Sequence, residues 1–236
     1  CESLPLGGPG PEQCLLVARS SVRAVRPSAE GAAAPLILLA DQRGPGMELA
    51  EALSENLTES GRHVLLAGPQ GLDKEKIIYR TGDCLDPEWL AALLLELREE
   101  SSEAPEILHL AGALAEEEQP SDRVKDRCSV ATALLHALKG AACRFWLIAP
   151  GAMQHLAGGG LERPSQAALW GFGRVAANEH PEIDFRLLDL HPSLAPEEMA
   201  KLLAAEVLNP AGDNELIIND KGRHGLRLRR GLARKT

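Results

Sequence analysis

Aromatic residues make up only 3% of this 236-residue chain, and Tyr79 is its sole tyrosine. Any reaction that needs a phenol as proton donor therefore has one candidate. No apolar run approaches the roughly 20 residues that span a bilayer, and the start at Cys1 shows neither a basic segment nor a following apolar one. We expect no membrane partner and a cytoplasmic location. The five cysteines, at positions 1, 14, 84, 128 and 143, form no Cys-x-x-Cys pair and have no histidines at zinc spacing. They read as buried or incidental thiols of a reducing compartment, so no metal is expected. Seven histidines are scattered without a His-x-x-x-His pair or a Gly-x-Ser-x-Gly partner. Internal repeats and an initiator methionine are also missing, and the latter is read as a piece cut from a longer polypeptide.

What is present suits a globular core. Residues of the hydrophobic class make up 44% of the chain, enough for one large domain or one domain with an appendage. The net charge is -9, yet Lys221 to Lys235 holds seven basic residues and no acidic one. A basic tail can serve nucleic acid. Here the alternation of Leu226 and Leu228 with Arg227 and Arg229 favours a half-buried strand with a solvated basic face, and no nucleic-acid partner is expected.

Along the chain, Gly7 to Pro11 has the composition of a linker and Cys14 to Val25 that of a small hairpin. Residues 1–34 are read as a linker or the tail of a preceding domain. From Pro35 onward strands and helices alternate. Apolar runs predict strands at 36–40, 64–67, 77–79, 107–110, 145–149 and 185–190, with closing strands at 215–218 and 226–229 around the turn Asn219 to Gly222. Helical spacing predicts helices at 47–57, 87–98, 124–138, 165–178 and 196–208. This alternation defines an α/β, doubly wound, mostly parallel Rossmann-like sheet over residues 35–236.

The most specific wording lies between Arg163 and Leu190: Ser-Gln-Ala-Ala-Leu-Trp-Gly-Phe-Gly-Arg-Val at 165–175, Asn-Glu-His-Pro-Glu at 178–182 and Leu-Leu-Asp-Leu at 187–190. It resembles the helix and following strand of a short-chain dehydrogenase, and more narrowly the structural subdomain of ketoreductases in modular polyketide synthases. The likeness extends from about Pro35 to about Gly231, through His-Leu-Ala-Gly-Ala at 109–113 and Phe-Trp-Leu-Ile-Ala at 145–149. It implies a truncated Rossmann unit without a working active site. It also implies covalently linked polyketide synthase neighbours: a catalytic ketoreductase half, and in some modules a methyltransferase, dehydratase or enoylreductase, with acyl carrier protein as a transient partner.

The slots that the resemblance assigns to chemistry hold other residues. The tyrosine and lysine slots fall on Glu162 and Gln166, and the serine slot falls near Ala149 and Pro150. An ionised glutamate cannot replace a phenol of pKa about 10 as acid. Tyr79 lies elsewhere. A phosphate loop needs glycine amides at a helix N-terminus; Asp41-Gln42-Arg43-Gly44-Pro45-Gly46 offers only Gly44 and Gly46, with Pro45 lacking an amide and Asp41 adding negative charge. Gly158 to Gly160 precedes no suitable strand-turn-helix unit and is read as a loop. Thus no catalytic residue, no cofactor-binding residue and no cofactor is expected. His109, at a strand end, is read as a satisfied structural histidine, Trp170 and Phe172 as core, and Arg186, Asp189 and the last strand as interface positions.

The sequence thus favours a non-catalytic scaffold domain of a modular polyketide synthase. An NADPH-dependent ketoreductase with displaced catalytic residues, acting on a carrier-bound β-ketoacyl substrate, is one alternative. A nucleotide- or nucleic-acid-binding α/β module is the other.

Overall fold

The computed structural model describes residues 2–5, 14–17, 35–40, 45–68, 78–83, 86–100, 104–110, 114, 120–138, 142–157, 163–210 and 212–226. Two short strands near the start, β1 (Glu2–Pro5) and β2 (Cys14–Val17), pair antiparallel, with Glu2 opposite Val17. Cys14–Val17 thus pairs with a strand before it, and residues 18–25, where the second arm of a hairpin within 14–25 would fall, lie outside the described residues.

The remaining eight strands form one sheet. They are β3 (Leu36–Leu39), β4 (Val64–Gly68), β5 (Ile78–Thr81), β6 (Glu106–His109), β7 (Cys143–Ile148), β8 (Ile183–Leu190), β9 (Glu215–Asn219) and β10 (Gly222–Gly225). Their order is β10-β9-β8-β7-β6-β3-β4-β5, parallel throughout except for the antiparallel β9/β10 pair. At its centre β8, β7, β6 and β3 lie side by side. Their apolar runs carry few polar interruptions because helices cover both faces of the sheet.

Those helices are α1 (Pro45–Glu59), α2 (Pro87–Glu100), α3 (Pro120–Ala137), α4 (Pro164–Glu179) and α5 (Pro196–Leu208). Each begins on a proline. The ring fixes φ near the helical value at a position whose N–H would have no intrahelical partner, so proline marks the start without cost to the ladder. Side chains that alternate along the strands divide between two cores. Ile37, Leu39, Ile107, Phe145, Leu147 and Leu187 pack against α2, α3 and α4. Leu36, Leu38, Leu108, Trp146, Ile148 and Leu188 pack against α1 and α5. Full burial of each such side chain stabilises the fold by about 1.5–3 kcal/mol.

The closing hairpin departs from the sequence reading. A closing strand pairs over 222–225, earlier than the 226–229 expected, because the chain reverses within Asp220-Lys221 and Gly222, at φ +117°, re-enters the sheet at once opposite Asn219; residues 227–229 lie outside the described residues. Only glycine adopts that φ readily. Leu226 then donates its N–H to Glu215 O at 3.0 Å and packs, half-buried, against the core. Leu228 lies outside the described residues.

Candidate functional site

In an open parallel sheet, ligands bind beyond the C-terminal strand ends, where neighbouring connections diverge. Here that point lies between β3 and β6, which run in parallel register from Leu36 opposite Glu106 to Leu39 opposite His109. The loop 41–44, with Asp41 and Gly44, lies outside the described residues. Pro45 is the exposed first residue of α1, and Glu48 sits in the same first turn. A helix start that lacks one amide and carries a carboxylate is poorly matched to a pyrophosphate. Beside it, a Cβ on Gly68 would run into the carbonyl of Ala40 and come within 3.1 Å of the Tyr79 hydroxyl oxygen. Tyr79 thus packs at the ends of β3 and β4.

The slots for reduction chemistry lie further along the same edge. Ala149 follows β7, is fully buried and donates its N–H to Leu188 O at 2.9 Å. Gln166 is fully buried in the first turn of α4, and Glu162 lies outside the described residues, as do Gly158 to Gly160. Trp170 is buried and Phe172 half-buried against the core, as predicted.

Two residues that sequence reasoning missed occupy this corner. Arg127 of α3 is buried, and its Nη1 donates to the hydroxyl of Ser165, also buried, at the start of α4. A signal existed, since Arg127 falls in phase with the buried Ala131 and Leu134 on the apolar face of α3. His109 stands beside them at the end of β6. It is fully buried, its ring centroid 6.3 Å from that of Phe145. Burial, aided by the charge of Arg127, lowers its pKa from 6.5 to about 4, so it is neutral at physiological pH. Among the described residues neither of its ring nitrogens has a hydrogen-bond partner. His109 is thus a buried, neutral histidine of the core.

Asp189 is also corrected. It is no surface position but a fully buried carboxylate near the end of β8, accepting from the backbone N–H groups of Gly151 and Met153, each at 2.6 Å. These bonds hold the turn after β7, where Gly151 adopts φ +85°. Burial raises the pKa of Asp189 above the usual 3.8, against the opposing pull of its hydrogen bonds to Gln154 and the turn. Gln154, in the short 3₁₀ turn Gln154–Ala157, receives a bond from Asn219 at 3.3 Å, and Asn219 also accepts from Lys221 N at 2.9 Å. The turn after β7 is thereby tied to β8 and to the closing hairpin. Among the described residues no group of histidine, cysteine, aspartate or glutamate could hold a metal ion, and no helix is long and apolar enough to cross a membrane.

The sheet order, the switch point and the position of α4 define a Rossmann-like domain of the short-chain dehydrogenase type. At 12% identity, a short-chain dehydrogenase from Streptomyces avermitilis shares the fold, with a TM-score of 0.58 over 81% of this chain and 90% of that one. A-type ketoreductases from a modular polyketide synthase are similar at 25% identity and TM-score 0.58, over 82% of this chain but 38% of theirs. Residues 50–228 match the family described as the Rossmann fold domain of the polyketide synthase extender module SpnB, and the chain belongs to that family. Among curated relatives, the polyketide synthase GfsA of Streptomyces halstedii is 36% identical over 88 residues, 37% of this chain and 1% of that protein. The pikromycin polyketide synthase component PikAII of Streptomyces venezuelae is 33% identical over 91 residues, 38% of this chain and 2% of that protein. The chain thus matches only a small part of each of these much longer proteins.

Proposed function

We propose that this domain is a non-catalytic, organising unit of a modular polyketide synthase, either the structural subdomain of a ketoreductase or a pseudo-ketoreductase. Residues 35–236 form the truncated Rossmann-like domain, and residues 1–34 belong to a linker or a preceding domain. The carrying observation is the corner between β7 and α4. Ala149 and Gln166 stand buried in the slots of the serine and lysine, and the space beside them is crossed by the Arg127–Ser165 bond. Neither residue can supply the hydroxyl or ammonium that the reduction of a ketone by this fold requires. The poor match of the α1 start to a pyrophosphate supports the same reading.

The function of such a unit is spatial. A tethered substrate gains effective concentration only when its enzymes stand within reach, so a rigid domain that fixes neighbouring catalytic domains raises flux without touching substrate. Its partners are the covalently linked domains of the same cytoplasmic synthase, with the acyl carrier protein passing transiently.

The test is calorimetric titration of the chain with NADPH, paired with an absorbance assay on a generic ketone such as a decalone. No binding heat and no turnover are expected. A micromolar dissociation constant with turnover that vanishes in Glu162→Gln would overturn this reading in favour of a ketoreductase with displaced residues. Binding without turnover would leave a pseudoenzyme that keeps its ligand.

A further inference from the structure

Asn219, the last residue of β9, is a buried amide that serves two elements at once. Its Oδ1 accepts the N–H of Lys221 at 2.9 Å and so shapes the reversal from β9 into β10. An asparagine bonded in this way to the backbone two residues on forms a turn of its own. Its Nδ2 serves a distant segment, donating to Oε1 of Gln154 at 3.3 Å and to the carbonyl of Ala157 at 3.5 Å. Gln154 and Ala157 are the first and last residues of the 3₁₀ turn that follows β7. One side chain therefore closes the hairpin with its oxygen and grips the turn with its nitrogen.

Both ends of this link reach the surface. Asp220, Lys221 and Gly222 are exposed at the tip of the hairpin, and His155 and Leu156 are exposed on the 3₁₀ turn, Leu156 by 54%. Between them Gln154 and Ile217 are fully buried, so the connecting groups have little room to adjust separately. Asp189 holds the N–H groups of Gly151 and Met153 in the same turn, and β8, which carries it, pairs with β9 up to Leu190 opposite Ile218. The two side chains that hold the turn thus stand on adjacent strands. An amide carries its oxygen and its NH₂ on one planar carbon, so Asn219 cannot follow a shift of one element without altering its bond to the other. We propose that Asn219 couples the β9–β10 hairpin to the turn after β7, so that a contact made at either surface is felt at the other. Such coupling is reciprocal: displacing the hairpin loosens the turn, and holding the turn at Leu156 tightens the hairpin. The link is independent of the scaffold reading, and a catalytically active chain could contain it equally well.

The test uses the whole chain and amide hydrogen exchange read by NMR. Gly222→Ala is the probe: alanine adopts a φ of +117° only with strain, and nothing lies within 4 Å of the added Cβ, so the change acts on the hairpin alone. The reporters are the N–H of Met153, bound to Asp189, and that of Leu156, bound to the Met153 carbonyl at 3.0 Å. Amides of Phe145 to Ile148 serve as the control for global opening. Faster exchange is expected at residues 219–225, together with about fivefold faster exchange at both reporters, the factor that corresponds to loss of one ordinary hydrogen bond. In an Asn219→Ala background, adding Gly222→Ala should leave the reporters where Asn219→Ala alone sets them. From the other end, Gln154→Ala should quicken exchange at Lys221. If the control amides quicken too, the same comparison is made on the amide chemical shifts of Met153 and Leu156, which report the folded state. A hairpin that loosens while the turn stays unchanged, or an effect on the turn that persists without the Asn219 side chain, would overturn the proposal.

Discussion

Nε1 of Trp146 donates to Oε1 of Glu106 at 2.7 Å, tying one of the largest buried side chains of β7 to the acid that begins β6. The same carboxylate receives Arg62 at 2.6 Å and faces Arg144 at 3.5 Å. Arg144 bonds Asp184 at 2.8 Å, and Asp184 pairs with Arg186, whose guanidinium lies 5.7 Å from the centre of the Trp146 ring. A ladder of charge thus crosses the starts of three neighbouring strands, in the parallel register that aligns Glu106, Arg144 and Asp184.

Glu106→Ala should therefore be costly. It removes a carboxylate from the half-buried Arg62 and Arg144, of which Arg144 keeps Asp184, and takes away the acceptor of Trp146, a loss of about 2–3 kcal/mol given their partial access to water. Glu106→Gln keeps an oxygen for Trp146 and should cost about 1 kcal/mol less. Urea unfolding of the two variants checks the order, and equal losses would show that the ladder contributes little.

Two glycines of α4 should respond in opposite directions. A Cβ at Gly173 would come within 2.5 Å of one Leu187 methyl and 2.8 Å of a Leu147 methyl, whereas at Gly171 nothing lies within 4 Å. Gly171→Ala should stabilise the helix by about 0.5–1 kcal/mol. Gly173→Ala should destabilise the domain by roughly 1–3 kcal/mol through overpacking. Thermal midpoints moving the same way would contradict this packing.

Asp189 predicts a pH effect of definite sign. Its folded pKa is raised, so between the unfolded value of 3.8 and the folded one the native state keeps a proton that the unfolded chain has released. Its contribution to stability therefore declines as pH rises through the folded pKa. Asp189→Asn should remove that slope. At neutral pH it should also cost about 1–3 kcal/mol, because an amide NH₂ then faces one of the two backbone N–H donors. Unfolding curves between pH 3 and 7 carry both readouts.

His109 acts in the other sense at acid pH. With a folded pKa of about 4 against 6.5 unfolded, its burial contributes stability that is lost as pH falls from 6.5 towards 4. Its imidazole resonances should hold the neutral position in an NMR titration from pH 8 to 5. A midpoint near 6.5 would place the ring in solvent.

The strands were legible because a parallel strand covered on both faces must be written as an apolar run, as Leu36 to Leu39 and Phe145 to Ile148 are. The starts of α2 and α5 were legible in Pro87 and Pro196, whereas those of α1, α3 and α4, expected at 47, 124 and 165, lie at Pro45, Pro120 and Pro164. The start of the closing strand was not legible, because the positive φ of Gly222 sets where pairing begins and the residues 222–225 that pair carry no apolar alternation. At the candidate site, composition revealed what Ala149 and Gln166 cannot do. It did not reveal that Arg127 turns inward to Ser165, since charged neighbours in α3 disguise its phase, nor that Asp189 serves a backbone turn on a different strand. Such contacts join residues 38 positions apart, and no local pattern records them.

The eight-strand order also sets a distance. Strand spacing of about 4.8 Å over seven intervals places the outer strands β5 and β10 roughly 34 Å apart along the hydrogen-bonding direction. Anything joined to one edge and anything joined to the other are separated by the width of the sheet. Spanning that gap by a free peptide would take about ten fully extended residues, and a free peptide would let the separation fluctuate. The sheet makes it a fixed length, so the domain can serve as a ruler.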